Sequence, residues 1–232
     1  MSRRMDKKKN FLGVGLMGLA LGWASPIAAA TPREILTQAS FQTNDKASAL
    51  GLIKQGLTEA EAILAHDPQD KEAQMQRGVA IGDRGHLLRS PGDAKTARRI
   101  FEAFLAANPR DPEAHLAIAT WHLDTVDAGF FAAALLGGKK DVGLAELDKA
   151  VALGGGRPFF TGFAALMRIR LNPNDIVTAR SLAEQAAIAP APTMLDRIAK
   201  HAAQQVLIPL RNGDGRTAAL LARKYLPFGH IG

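Results

Sequence analysis

No cysteine occurs in the 232 residues. That excludes disulfides, a lipid attached at a cleavage-site cysteine and thiolate ligands for zinc. β-Branched residues are sparse, and no stretch alternates apolar and polar side chains between turn signals, so strands are not expected. Without strands there is no setting for a strand-borne phosphate loop, and Gly154-Gly155-Gly156 reads as a helix stop. No serine stands in a nucleophile elbow, and Ser90 is accounted for by helix capping. The six histidines include no pair at the i, i+4 spacing of a helical zinc site. His115 and His122 share a helical face near Asp124 and Asp127, but read as groove histidines. Glu59 and Glu61 read as a solvated face. The expectation is a non-enzyme with no catalytic residue, no metal and no cofactor.

Charge of one sign is scarcer than the pI suggests. The formal net charge is +7, but the first thirty residues hold five bases and one acid, leaving +3 on residues 31–232. A nucleic-acid partner is therefore not expected. The basic excess belongs to a leader: Arg3, Arg4 and Lys7 to Lys9, then the apolar run Phe11 to Trp23, then Ala28-Ala29-Ala30. This order is that of a secretory signal peptide over residues 1–30, with cleavage after Ala30. An uncleaved anchor is the competing reading, since Phe11 to Ala30 is twenty residues long, but Ser25 and Pro26 interrupt the run. With the leader removed, no integral membrane segment is expected. Arg3-Arg4 hints at twin-arginine export, although Phe11-Leu12 lie too far downstream for that motif.

What is plentiful is alanine and leucine at helical spacing, so the class is all-α. Thr31-Pro32-Arg33-Glu34 spells a capping box that opens a short helix to about Gln38, followed by a polar linker to residue 44. A repeat domain then fills residues 45–232. Further helices are expected over Asp45–Ala65, Asp70–Asp83, Pro91–Ala107, Asp111–Asp127, Lys140–Leu153, Pro158–Leu171, Asp175–Ala189, Pro192–Arg211 and Arg216–Leu226. Ser90 and Asp93 suggest a second capping box. Gly51 and Gly56 each weaken the first long helix by about 1 kcal/mol relative to alanine, and both leave room for a neighbouring backbone.

The best-written stretch is DAKTARRIFEAFLAANPRDPEA, Asp93 to Ala114. Ala97, Phe101 and Phe104 recur at helical spacing, and Pro109 closes the segment. The same spacing occurs at Gly56, Ala60, Ile63 and Pro68, at Gly143, Leu147, Ala150 and Gly155, and at Ala179, Ala183, Ala186 and Ala191. The junction Asp67-Pro68-Gln69-Asp70-Lys71-Glu72-Ala73 aligns with Asn108-Pro109-Arg110-Asp111-Pro112-Glu113-Ala114 at an offset of 41, which also pairs Gly78 with Ala119.

On these residues the chain resembles the tetratricopeptide repeat family, whose unit is a helix–turn–helix of about 34 residues. Ala97, Phe101 and Pro109 match its second helix, while Phe104 is too large for the small position and Gly155 replaces a proline. The resemblance implies an α-solenoid of about four helix pairs that binds a protein partner. With the leader, that implies a scaffold or adaptor in the bacterial periplasm. A small-molecule or lipid-binding accessory of a transport system is the alternative.

Successive second helices step by 41, 46 and 36 residues. The first two steps place insertions within pairs, at Arg84–Ser90 and Thr125–Lys139. Stacking should bring both to one edge. Arg84, Arg89, Arg98 and Arg99 surround the first insertion and are candidate anchors for acidic groups of a partner. In the second, Gly129 to Leu136 is apolar throughout and followed by Lys139-Lys140. Phe130 and Phe131 are candidate partner contacts, whereas Leu135 and Leu136 are expected to close over Leu87-Leu88 as a satellite core.

Overall fold

The computed structural model describes residues 30–231, so the leader and its cleavage site fall essentially outside the described residues. Among these residues there are eleven helices and no strand. They are α1 (Pro32–Phe41), α2 (Lys46–His66), α3 (Lys71–Leu88), α4 (Pro91–Ala107), α5 (Pro112–Asp127), α6 (Phe130–Leu136), α7 (Lys140–Leu153), α8 (Pro158–Leu171), α9 (Ile176–Ile188), α10 (Met194–Arg211) and α11 (Gly215–Tyr225). Helices adjacent in sequence pack on one another, with α5 lying against α7 and the short α6 set aside between them. None is long and apolar enough to cross a membrane.

Local sequence dictates most of the boundaries. Thr31 and Glu34 exchange both bonds of a capping box at the start of α1, and Thr193 and Asp196 do the same for α10. Asp45, Asp70, Asp111 and Asp214 accept from the first free amides of α2, α3, α5 and α11. Proline occupies the first turn of α1, α4, α5 and α8, where its missing N–H costs nothing.

The repeated spacing is a packing register. Gly56, Ala97, Gly143 and Ala179 are all buried, and so are Ala60, Phe101, Leu147 and Ala183 four residues on. Phe104, Ala150 and Ala186 continue the row inside the core, but Ile63 is 37% exposed. Close approach explains the small residues: a Cβ on Gly78 would lie 2.5 Å from the Phe101 ring, where α3 meets α4, and one on Gly56 would lie 2.9 Å from Leu36, where α2 meets α1. Gly51 faces open space, so its expected role in helix contact does not hold.

Three other expectations need correction. α1 runs through to Phe41 with Ser40 buried, because Ser40 hydrogen-bonds back to the Leu36 carbonyl and its face packs inward. The first insertion is not a loop: α3 continues to Leu88 and ends on Arg89 in the left-handed region (φ 52°). The Ser90–Asp93 capping box is only half present. Ser90 accepts from the Asp93 amide, but the Asp93 carboxylate is held by Arg84 at 2.7 and 2.9 Å instead.

The core falls into three parts: a large one from α5 to α11, a second among α3, α4 and α5, and a third among α1, α2 and α3. Phe228, beyond the last helix, belongs to the third. Its amide donates to the Ser40 carbonyl at 2.8 Å, and its ring stacks on His86 with centroids 5.7 Å apart. The C-terminal segment thus returns to α1. At its other side α1 meets α8 through Phe41 and Phe163, whose ring centroids are 5.8 Å apart.

Candidate functional site

α1, α3, α5, α6, α8 and the C-terminal segment surround a cavity of about 1180 Å³. Its wall is largely apolar, with Leu36, Val79, Leu116, Phe163 and Met167 among the lining side chains. α3, α5 and α8 supply much of this wall, with Pro91, Ala94 and Phe101 of α4.

Two arginines cross the wall, and both are neutralised. Arg33 of α1 donates to Glu72 at 2.6 Å and to Glu113 at 2.7 Å. Those glutamates are the equivalent positions of the aligned junctions, so one side chain ties two units together. Desolvation opposes the Arg33 charge, but the two carboxylates outweigh it and raise the pKa above its ordinary value. Arg170 of α8, with a side chain 10% exposed, donates to Asp124 at 2.6 Å. Its buried Nε has no hydrogen-bond partner. Asp127 accepts from Arg223 at 2.8 and 3.1 Å.

Asp83 differs from these carboxylates. It borders the cavity, forms no ion pair among the described residues, and lies 3.1 Å from the Ser40 hydroxyl. Burial pushes its pKa up to about 7; the Ser40 contact works against this, and the Asp124 charge adds to it. Nothing in the sequence marked Asp83, because its isolation depends on where α1 and α5 dock.

The residues singled out from sequence do not form one patch. Arg84 is tied to Asp93 between α3 and α4. Arg98 pairs with Glu102, lies 4.8 Å from the Trp121 ring centroid and donates to the Leu136 carbonyl, which anchors the end of α6 to α4. Arg89 and Arg99 are exposed, and Arg99 bonds only within its own helix. Phe130 and Phe131 are 81% and 86% exposed. The expected satellite core is absent: α6 has no buried residue, Leu135 is 60% exposed, and Leu87 instead joins the cluster around Phe228. The two insertions do share an edge, since Leu87, Arg89, Ala132 and Leu136 border the same cavity.

His115 and His122 are both buried side chains, and His122 also borders a smaller groove between α4, α5 and α7. His115 bridges Glu146 and the Pro109 carbonyl. His122 accepts from the Lys139 amide, and burial lowers its pKa. Both are occupied in joining α5 to α7 and its approach.

No family model, curated protein or solved structure matches this chain.

Proposed function

We propose that the chain is an exported, periplasmic scaffold of tetratricopeptide-like helix pairs that binds a protein partner and performs no chemistry of its own. The observation that carries this reading is α6. Seven consecutive apolar residues stand outside the core, and the two phenylalanines at their start are almost fully solvated. A clustered pair of exposed aromatics is expected of a contact site. The shared register of α2, α4, α7 and α9 supports the repeat reading. On this reading Arg98, which donates to the Leu136 carbonyl, holds α6 against α4, and Arg84 braces α3 on α4 through Asp93.

Replacing Phe131 by a photo-crosslinking residue in the native host tests the proposal. A discrete protein adduct is expected at that position and not at Val177, which is 78% exposed on α9. Phe131→Asp should weaken co-purification of that protein while moving stability by no more than about 0.5 kcal/mol, as at other exposed sites. Equal crosslinking at both positions would remove α6 as the contact. The alternative, a small-molecule or lipid-binding accessory of a transport system, is favoured by the apolar cavity.

A further inference from the structure

We propose that the cavity between α1, α3, α5 and α8 binds an amphiphilic organic cation, with its ammonium group at Asp83 and its apolar body along Leu36, Val79, Phe163 and Met167. This gives the small-molecule alternative a ligand class, and is independent of the protein-contact reading of α6.

The first ground is size and lining. Ligand pockets usually hold about 300–1,000 Å³ and combine apolar walls with a few polar groups. This cavity, at about 1180 Å³, has room for an extended apolar body. The second ground is charge. The charged and titratable groups facing the space are Arg33 from α1, Lys46 from α2, Asp83, His86 and Arg89 from α3, Glu113 and Asp124 from α5, and Arg170 from α8. Arg33 is saturated by Glu72 and Glu113, and Arg170 by Asp124. An anionic ligand would have to break ion pairs of 2.6–2.7 Å to reach either guanidinium. Lys46 and Arg89 form no ion pair among the described residues, but both are exposed at the rim, where water screens them. Asp83 is the carboxylate without a cation.

The third ground is proton counting. Ser40 Oγ lies 2.9 Å from the Leu36 carbonyl and 3.1 Å from Asp83 Oδ2. A hydroxyl has one proton to donate. Donated to the backbone carbonyl, which has no proton of its own, it leaves Asp83 with no donor. The carboxyl then takes its hydrogen bond by carrying its own proton and giving it to Ser40, from water in the cavity, since Asp83 is only half-buried, or from a ligand. An ammonium supplies both the hydrogen bond and the missing positive charge. Its arrival ionises Asp83, so binding below the Asp83 pKa of about 7 expels one proton.

Titration calorimetry of the purified chain with octylammonium, octanol and octanoate tests this with matched apolar bodies. Octylammonium should bind one per chain and at least tenfold more tightly than either of the others. At pH 6 its binding heat should vary with the ionisation enthalpy of the buffer, in the sense of proton release, and at pH 8.5 it should not. Asp83→Asn should bring octylammonium to the affinity of octanol and leave octanol unchanged. The proposal is overturned by equal or octanoate-favouring affinities in the native chain, by no binding of any probe, or by a preference that survives Asp83→Asn. Should Asp83→Asn fail to fold, the native comparison and the proton release decide alone. Neither measurement bears on crosslinking at Phe131, so the two proposals fail separately.

Discussion

The contact between Gly78 and Phe101 allows the repeat register to be tested by a double-mutant cycle. Phe101 is 6% exposed in the core of α3, α4 and α5. Phe101→Ala should cost about 3–5 kcal/mol from lost burial and the cavity left behind. Gly78→Ala works in the opposite sense: its new methyl would sit 2.5 Å from Phe101 Cε1 and 3.0 Å from Ile100 Cγ2. Relieving that overlap should cost about 1–3 kcal/mol, against a gain of about 1 kcal/mol from replacing glycine within a helix. Alone, Gly78→Ala is therefore neutral to destabilising. In the Phe101→Ala background most of the overlap is gone, and the methyl occupies part of the vacated space. There the same change should stabilise by about 1 kcal/mol, giving a coupling of about 1–3 kcal/mol. Urea unfolding by circular dichroism reads all four variants, provided the slope is common to them. Additivity within about 0.5 kcal/mol would mean that α3 and α4 do not meet at Gly78.

Asp196 is fully buried and accepts from Arg157, the Thr193 hydroxyl and amide, and the Phe159 amide. Arg157 is partly exposed and can turn to water, but Asp196→Ala leaves the Phe159 amide and Thr193 without their acceptor and should cost about 1–3 kcal/mol by the same unfolding assay. Burial raises the Asp196 pKa, but the Thr193 and Arg157 hydrogen bonds outweigh it and hold the value below 3.8. Its contribution is therefore complete above pH 3.8 and is lost as pH falls through the lower folded value. An acid-unfolding midpoint that does not move in Asp196→Asn would contradict this. Deleting residues 227–232 removes Phe228 from the third core and the bond to Ser40. Amide exchange of α1 should then accelerate more than that of α8 or α9; uniform acceleration would show the segment to be no local clasp.

Helix content and register were legible because they depend on local signals. Prolines, aspartate caps and small residues at fixed spacing act within one or two turns, and Gly56, Ala97, Gly143 and Ala179 are buried as their shared spacing implies. The insertions were located by arithmetic on the period, but their form was not. Arg84 to Leu88 continue a helix because nothing before Ser90-Pro91 stops it. Leu135 and Leu136 read as satellite core because they are apolar, yet patterning cannot tell whether a neighbour exists to cover them. An apolar cavity beside the insertions belongs to the small-molecule alternative, but its polar lining escaped the sequence. Arg33, Ser40, Asp83 and Asp124 are scattered over three helices, and each is an ordinary surface residue until α1 docks on α3 and α5.

The return of Phe228 to Ser40 has a kinetic consequence. In an open stack each unit touches only its neighbours, and folding can begin anywhere and spread. Here one of the three cores lacks its last side chain until almost the whole polypeptide is present. Pairing ends so distant carries a loop-closure entropy, which slows the step that makes the contact. A nascent chain emerging N-terminus first therefore cannot complete the packing around α1 and α2 before Phe228 has emerged. That part of the core stays open until Phe228 is free to reach Ser40.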